Sequence, residues 1–138
     1  MTFCVQGSLL GDLFNGRINI GADSFRLILL GTGYTWSYAH NRRDDLGANE
    51  ITAGGGYTTG GVAVSLSTSV DLSAQASILS ISSASISPGP VTGARWGAVV
   101  KWRGGAASDD ELIGVYDWGQ VLAAGPLVIP AATITHFR

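Results

Sequence analysis

The 138-residue chain predicts an all-β fold: a β-sandwich or jelly roll of about eight to ten short antiparallel strands, with an open barrel as the alternative. Three observations predict it. Apolar residues recur mostly with a period of two, the spacing that puts alternate side chains on one face of a strand. Twenty glycines break up any long 3.6-residue pattern. Turn signals fall between the apolar runs at fairly regular spacing. Nothing marks a domain boundary or a repeat, so residues 1–138 read as one all-β domain.

Residues 17–20 (Arg-Ile-Asn-Ile) and 24–30 (Ser-Phe-Arg-Leu-Ile-Leu-Leu) are expected to form two strands joined by a turn at 21–23. Phe25, Leu27 and Leu29 share one face of the second. Ile28 and Leu30 make its other face apolar too, which predicts a central strand covered on both sides. Residues 34–49 form the long irregular segment, rich in aromatic and charged residues, with a short helical turn around 44–46. The glycine cluster at 54–61 suits positive φ angles and close backbone approach. Beyond it Val62, Val64 and Leu66 alternate with Ala63, Ser65, Ser67 and Ser69, giving one core face and one hydroxyl-lined face. Leu79 and Ile81 continue the pattern up to the Pro88-Gly89-Pro90 stop.

Residues 92–103 read as the clearest strand, with Ala94, Trp96, Ala98, Val100 and Trp102 on one face and Arg95, Lys101 and Arg103 on the other. Residues 111–117 are expected to pair back antiparallel, placing Glu111 and Asp117 near that basic row. Residues 127–129 and 132–134 close the chain as short strands around Pro130, which favours an edge or a bulge.

Charge is the compositional outlier. Asp, Glu, Lys and Arg make up 13% of residues, against about 25% in ordinary soluble domains. Lys101 is the sole lysine and the net charge is −2. A surface so poor in charge predicts extensive coverage by other chains. It supplies no electrostatic reason to bind nucleic acid or an anionic membrane. No apolar run reaches the roughly 18 residues of a membrane-spanning helix, and the N-terminus lacks the features of an export signal. The single cysteine, Cys4, allows no intrachain disulfide and suits a reducing cytoplasm.

For catalysis the inventory is thin. His40 and His136 lie far apart with no ligand spacing near either, so no metal site is expected. Cys4 beside an apolar strand reads as an inert thiol. Asp44-Asp45 and Asp109-Asp110 read as solvated turn formers. Neither the 54–61 cluster nor Gly31-Thr32-Gly33 is followed by the helix or the Lys-Ser/Thr pair of a phosphate loop. The expectation is therefore a non-enzyme without catalytic residues, cofactor, metal or small-molecule substrate. Binding character concentrates in Tyr34, Trp36, Tyr38, His40, Arg42 and Arg43, residue types enriched at interface hot spots. These six form the candidate partner interface. Trp36 and Tyr38 read equally well as a plug closing the end of a sandwich.

One succession of motifs spans nearly the whole chain. It starts with Leu9-Leu10, the Arg-Ile-Asn-Ile of 17–20 and the strand at 24–30, then a polar loop with His40 and Asp44-Asp45. Asn-Glu-Ile (49–51), Gly-Gly-Gly-Tyr-Thr-Thr-Gly-Gly (54–61), Ala-Arg-Trp-Gly-Ala-Val-Val (94–100), Asp-Asp-Glu-Leu-Ile (109–113) and Tyr-Asp-Trp-Gly (116–119) follow. In this order the chain resembles the decoration, or cement, proteins of tailed-bacteriophage capsids. The resemblance implies a jelly-roll homodimer bound to the capsid surface, with the major capsid protein as partner. It implies synthesis in the host bacterial cytoplasm and residence in the virion. The rival readings are a tail or fibre-associated receptor- or glycan-binding module and, less favoured, a small virion-borne glycan hydrolase.

Overall fold

A computed structural model describes residues 2–124 and 126–134 of the chain. In order the strands are β1 (Thr2–Val5), β2 (Phe25–Leu30), β3 (Val62–Val64), β4 (Leu66–Asp71) and β5 (Ala76–Ile81). Then come β6 (Ala84–Ile86), β7 (Val91–Lys101), β8 (Leu112–Ala124), β9 (Leu127–Ile129) and β10 (Ala132–Ile134). All paired neighbours run antiparallel. They form a five-stranded sheet in the order β1-β8-β7-β2-β3, a three-stranded sheet β10-β5-β4 and a two-stranded sheet β6-β9. The fold is all-β and sandwich-like, and none of these sheets closes into a barrel.

The inner core lies between the five-stranded sheet and the two smaller ones. Phe25, Leu27 and Leu29 of β2, Val99 of β7, and Ile113 and Tyr116 of β8 meet Leu66, Leu79, Ile81, Ile86, Leu127, Ile129 and Ile134 from the second layer. Each fully buried side chain of this size contributes about 1.5–3 kcal/mol of transfer free energy. The opposite face of the large sheet is apolar as well. Ile28, Leu30, Ala98, Val100, Leu112 and Val115 form a second cluster there, closed by Tyr34 and Leu46 and rimmed by Trp36, Trp96 and Trp102. β2 is thus flanked on both edges and covered on both faces, as its apolar run predicts. The chain leaves the large sheet at Ser65, so the alternation of 62–71 is divided between β3 and β4.

Two sequence expectations are corrected. Residues 17–20 are not a strand: the Arg17 and Ile18 N–H groups both donate to the Asp12 carbonyl (2.9 and 3.2 Å), leaving nothing for a ladder partner. They follow α1 (Leu9–Phe14), a short helix that buries Leu9 and packs Leu13 against the inner core. It stops at Asn15-Gly16, where Gly16 takes φ +73°. The other correction concerns β7. Its register shifts between Thr92 and Ala94 and again between Ala94 and Trp96, and these irregularities reverse the alternation. Ala94 therefore enters the inner core, while Trp96, Ala98, Val100 and Trp102 keep the outer face together.

The glycine cluster has the backbone role its sequence suggests. Gly55, Gly56 and Gly61 take φ of +62°, +94° and +86°. A Cβ on Gly56 would lie 2.0 Å from the Ser87 carbonyl oxygen, and one on Gly61 2.2 Å from that of Leu27.

Candidate functional site

The second cluster needs a cover, and residues 34–46 supply it. Tyr34 is 3% exposed, packs edge-on against Trp96 and is hydrogen-bonded to His40 Nδ1 at 3.0 Å. Burial, reinforced by the Asp45 charge, pushes its hydroxyl up to about 12. A residue from the N-terminal segment pins the cover from below. Gln6, 2% exposed, donates from Nε2 to the carbonyls of Ser37 (3.1 Å) and His40 (2.7 Å) and accepts at Oε1 from Trp36 Nε1 (2.5 Å). Its own N–H donates to the Ile113 carbonyl of β8, so one side chain ties three points of the loop to the large sheet.

The loop leaves this cover through a 3₁₀ turn, Arg43–Leu46, close to the helical turn expected there. The Asp45 carboxylate accepts from the N–H groups of Asn41 (2.8 Å) and Arg42 (3.0 Å). Burial alone would raise its pKa, yet these bonds outweigh it and hold the group below its usual range. Arg43 Nε donates to Asp110 Oδ2 at 2.7 Å, and its guanidinium lies 4.6 Å from the centre of the Trp102 ring. Arg26 approaches the same ring at 4.3 Å.

Asp110 corrects its reading as a solvated turn former. It is fully buried and also accepts the Arg103 N–H at 3.0 Å. Glu111 is 3% exposed and pairs with the Arg103 guanidinium. Burial opposes ionisation, but the Arg103 bonds prevail and hold the Glu111 carboxyl below its ordinary range. The expected pairs thus form for Glu111 with Arg103 and for Asp117 with Arg95, while Lys101 turns to Asp23 (2.9 Å) and the Arg17 carbonyl (2.7 Å). Arg42 Nη1 and Arg17 Nη1 face the buried Asp12 carboxylate at 3.5 and 3.7 Å. An open cleft of about 430 Å³, lined by Arg17, Arg42, Arg103, Ser108, Asp109 and Glu111, lies among these groups. Its charges of both signs are matched, which leaves no strong field for a free anion.

Of the six candidate interface residues, the structure gathers all on or around one cover, in unequal exposure. Tyr34 is buried and offers a partner no surface. Trp36, His40, Arg42 and Arg43 are partly exposed and bonded within the chain. Tyr38 alone of the six is mostly exposed, at 66%, with its ring edge-on to Trp36. Gln6, Asp12, Arg17, Trp102, Arg103 and Asp110 complete this region and were not among the sequence candidates. Gln6 carried a signal as the one large polar residue inside the apolar N-terminal run. Cys4 is partly buried in β1, and burial raises its thiol pKa. Among the described residues no three His, Cys, Asp or Glu side chains group as a metal site, and His136 lies outside the described residues.

Comparison of the chain with protein-family models, with curated proteins and with solved structures returned no match.

Proposed function

We propose that this chain is a non-enzymatic virion structural protein that binds the outside of a tailed-phage capsid and stabilises contacts between major capsid protein subunits. One observation carries the reading furthest. Each described Arg and Lys is engaged inside the chain, by Asp12, Asp23, Asp110, Glu111, Asp117 or the Trp102 ring. Apolar side chains meanwhile stand outside, with Phe14 at 81% and Leu72 at 85% exposure. Such a surface suits contact with other proteins better than life as a dispersed solute. The resemblance carried by the succession of motifs across the chain supports this class of assembly. A ligand that binds only the assembled shell stabilises it by mass action, by about 2.7 kcal/mol per site at a hundredfold excess over Kd.

The test is quantitative mass spectrometry of purified virions, read as the molar ratio of this chain to the major capsid protein. A ratio of order one is expected for decoration across the head. A ratio of a few per cent would overturn it and favour the second reading, a tail- or fibre-associated receptor- or glycan-binding module. That reading rests on the exposed Tyr38 ring beside Trp36, and glycan-array binding lost in Tyr38→Ala would support it.

A further inference from the structure

Among the described residues β4 is an edge strand, pairing within its sheet with β5 alone. The Ser82 N–H donates to the Ser65 carbonyl at 2.9 Å, immediately before β4 begins. In an antiparallel ladder such bonded pairs alternate along the strand. The backbone groups of Ser67, Ser69 and Asp71 therefore point toward β5, and those of Leu66, Thr68 and Val70 point toward the open edge. This edge has none of the usual deterrents to pairing. It carries no lysine, proline or bulge, and its one charge, Asp71, sits at its end.

Side chains around the edge are also unpartnered. Thr68 lies opposite Leu79 and Val70 opposite Ser77, so both share the inward face with buried Leu66. α1 stops short of covering them. An apolar cleft of about 270 Å³ opens between Leu10, Leu13 and Phe14 of the helix and Thr68, Ser77 and Leu79 of the hairpin. Val70, the next inward residue of β4, is 66% exposed.

We propose that a second copy of this chain pairs antiparallel with β4 about a two-fold axis at Ser69, extending the three-stranded sheet across both copies. This names the surface for the self-association that accompanies the capsid reading, and it stands on β4 and α1 alone. With Ser69 on the axis, Thr68 of each copy faces Val70 of the other, and their N–H and C=O groups, all pointing outward, form the new ladder. The second copy's Val70 then sits on the inward face at the mouth of the Phe14 cleft. The charge of the strand fits a second copy in this register. Asp71 comes opposite Ser67, so the two acids do not face each other, and hydroxyl meets hydroxyl where Ser69 meets itself. A cross-strand like-charge clash, the usual barrier to self-pairing, is absent from the strand.

Sedimentation of the full chain over roughly 1–100 µM provides the test, with Val70→Lys as the disrupting variant and Val128→Lys, an exposed change on β9, as the control. Wild type and Val128→Lys are expected at twice the monomer mass, and Val70→Lys at half that mass with an unchanged circular-dichroism spectrum, its melting temperature no longer dependent on concentration. Hydrogen exchange should show Thr68 and Val70 amides protected in wild type and unprotected in Val70→Lys, while Ser67 and Ser69, bonded to β5, keep their rates. A monomeric wild type, a dimer with freely exchanging Thr68 and Val70, or a dimeric Val70→Lys would each overturn the proposal. Protection appearing only on phage heads would do so too, making a capsid subunit the occupant. Head occupancy of Val70→Lys, measured separately, reports on the capsid reading, because a monomer is able to bind a shell.

Discussion

Replacing Gln6 by leucine isolates what holds the 34–46 cover to the sheet. The side chain is almost fully buried and makes three hydrogen bonds, to Ser37, His40 and Trp36. Each nets about 0.5–1.5 kcal/mol, and an orphaned buried partner costs more than the bond was worth. Trp36 and His40 are partly exposed, so water recovers some of that loss, and leucine regains about 1 kcal/mol of apolar burial. The net destabilisation is about 2 kcal/mol, or a fall in melting temperature of roughly 6–10 °C for a domain of this size. Urea unfolding followed by tryptophan fluorescence should show a lower midpoint with an unchanged slope. Hydrogen exchange should accelerate over 34–43 while β7 and β8 keep wild-type rates. Gln6→Glu sharpens the test, since it keeps the acceptor for Trp36 but sets a carboxylate against two carbonyls, and it should be the less stable variant at pH 7. A Gln6→Leu stability within about 0.5 kcal/mol of wild type would refute the argument that Gln6 pins the cover.

Tyr57→Phe removes a buried hydroxyl that accepts the Leu29 N–H (3.0 Å) and donates to Glu50 Oε1 (2.8 Å). A loss of about 2–3 kcal/mol is expected by urea titration, because a central-strand amide loses its partner; a neutral result would show that water replaces it. Acid should also destabilise the fold. Asp117 is held below its ordinary 3.8 by the Arg95 hydrogen bond, and Glu111, despite burial, below its ordinary 4.5 by Arg103. Folded values below unfolded ones contribute stability that is complete above about pH 5 and disappears as pH falls through the depressed folded values. Urea midpoints should therefore be flat from pH 7 to 5 and fall toward pH 3, and a midpoint that holds or rises on acidification would contradict the pairs.

The legible parts of the fold are those whose side-chain pattern is itself the cause of the structure. The two-faced apolar run of β2 requires burial on both sides, and both cores are built on it. The glycines of 54–61 stand where a Cβ would collide with carbonyl oxygens. Less legible were features decided by backbone hydrogen bonds. Residues 17–20 alternate like a strand, yet the Arg17 and Ile18 N–H groups turn back to the Asp12 carbonyl and that of Asn19 donates to the Asp23 carboxylate. α1 had its markers in the Leu9 and Leu13 spacing and the Asn15-Gly16 stop, but at six residues, with Gly11 inside, it is too short for periodicity to outweigh the surrounding β pattern. Ala94 misled because register irregularities have no fixed signature in side chains. Within the candidate site, residue type found the aromatic cover but not its support. Gln6 and Asp110 act through partners about 30 to 70 positions away, which no local pattern encodes.

The sparse charge then acquires a structural reason. Arg43 with Asp110 and Lys101 with Asp23 fasten irregular segments to the turn that follows β7 or to its end, and Arg103 with Glu111 closes that turn on itself. Removing one member of such a pair leaves its partner partly desolvated, so these positions have little freedom to supply solvation elsewhere. Around the β4 edge the exterior is mainly hydroxyl and apolar: Ser67, Thr68 and Ser69 on β4, Val70 and Leu72 at its end, and Phe14 beside it. Hydroxyls cost less to desolvate than ions and form cross-strand bonds readily. A chain that commits its ions to its own loop joints and leaves a neutral strand edge outside suits the covered exterior proposed above, and on that proposal adding charge to the edge should raise solubility and abolish association.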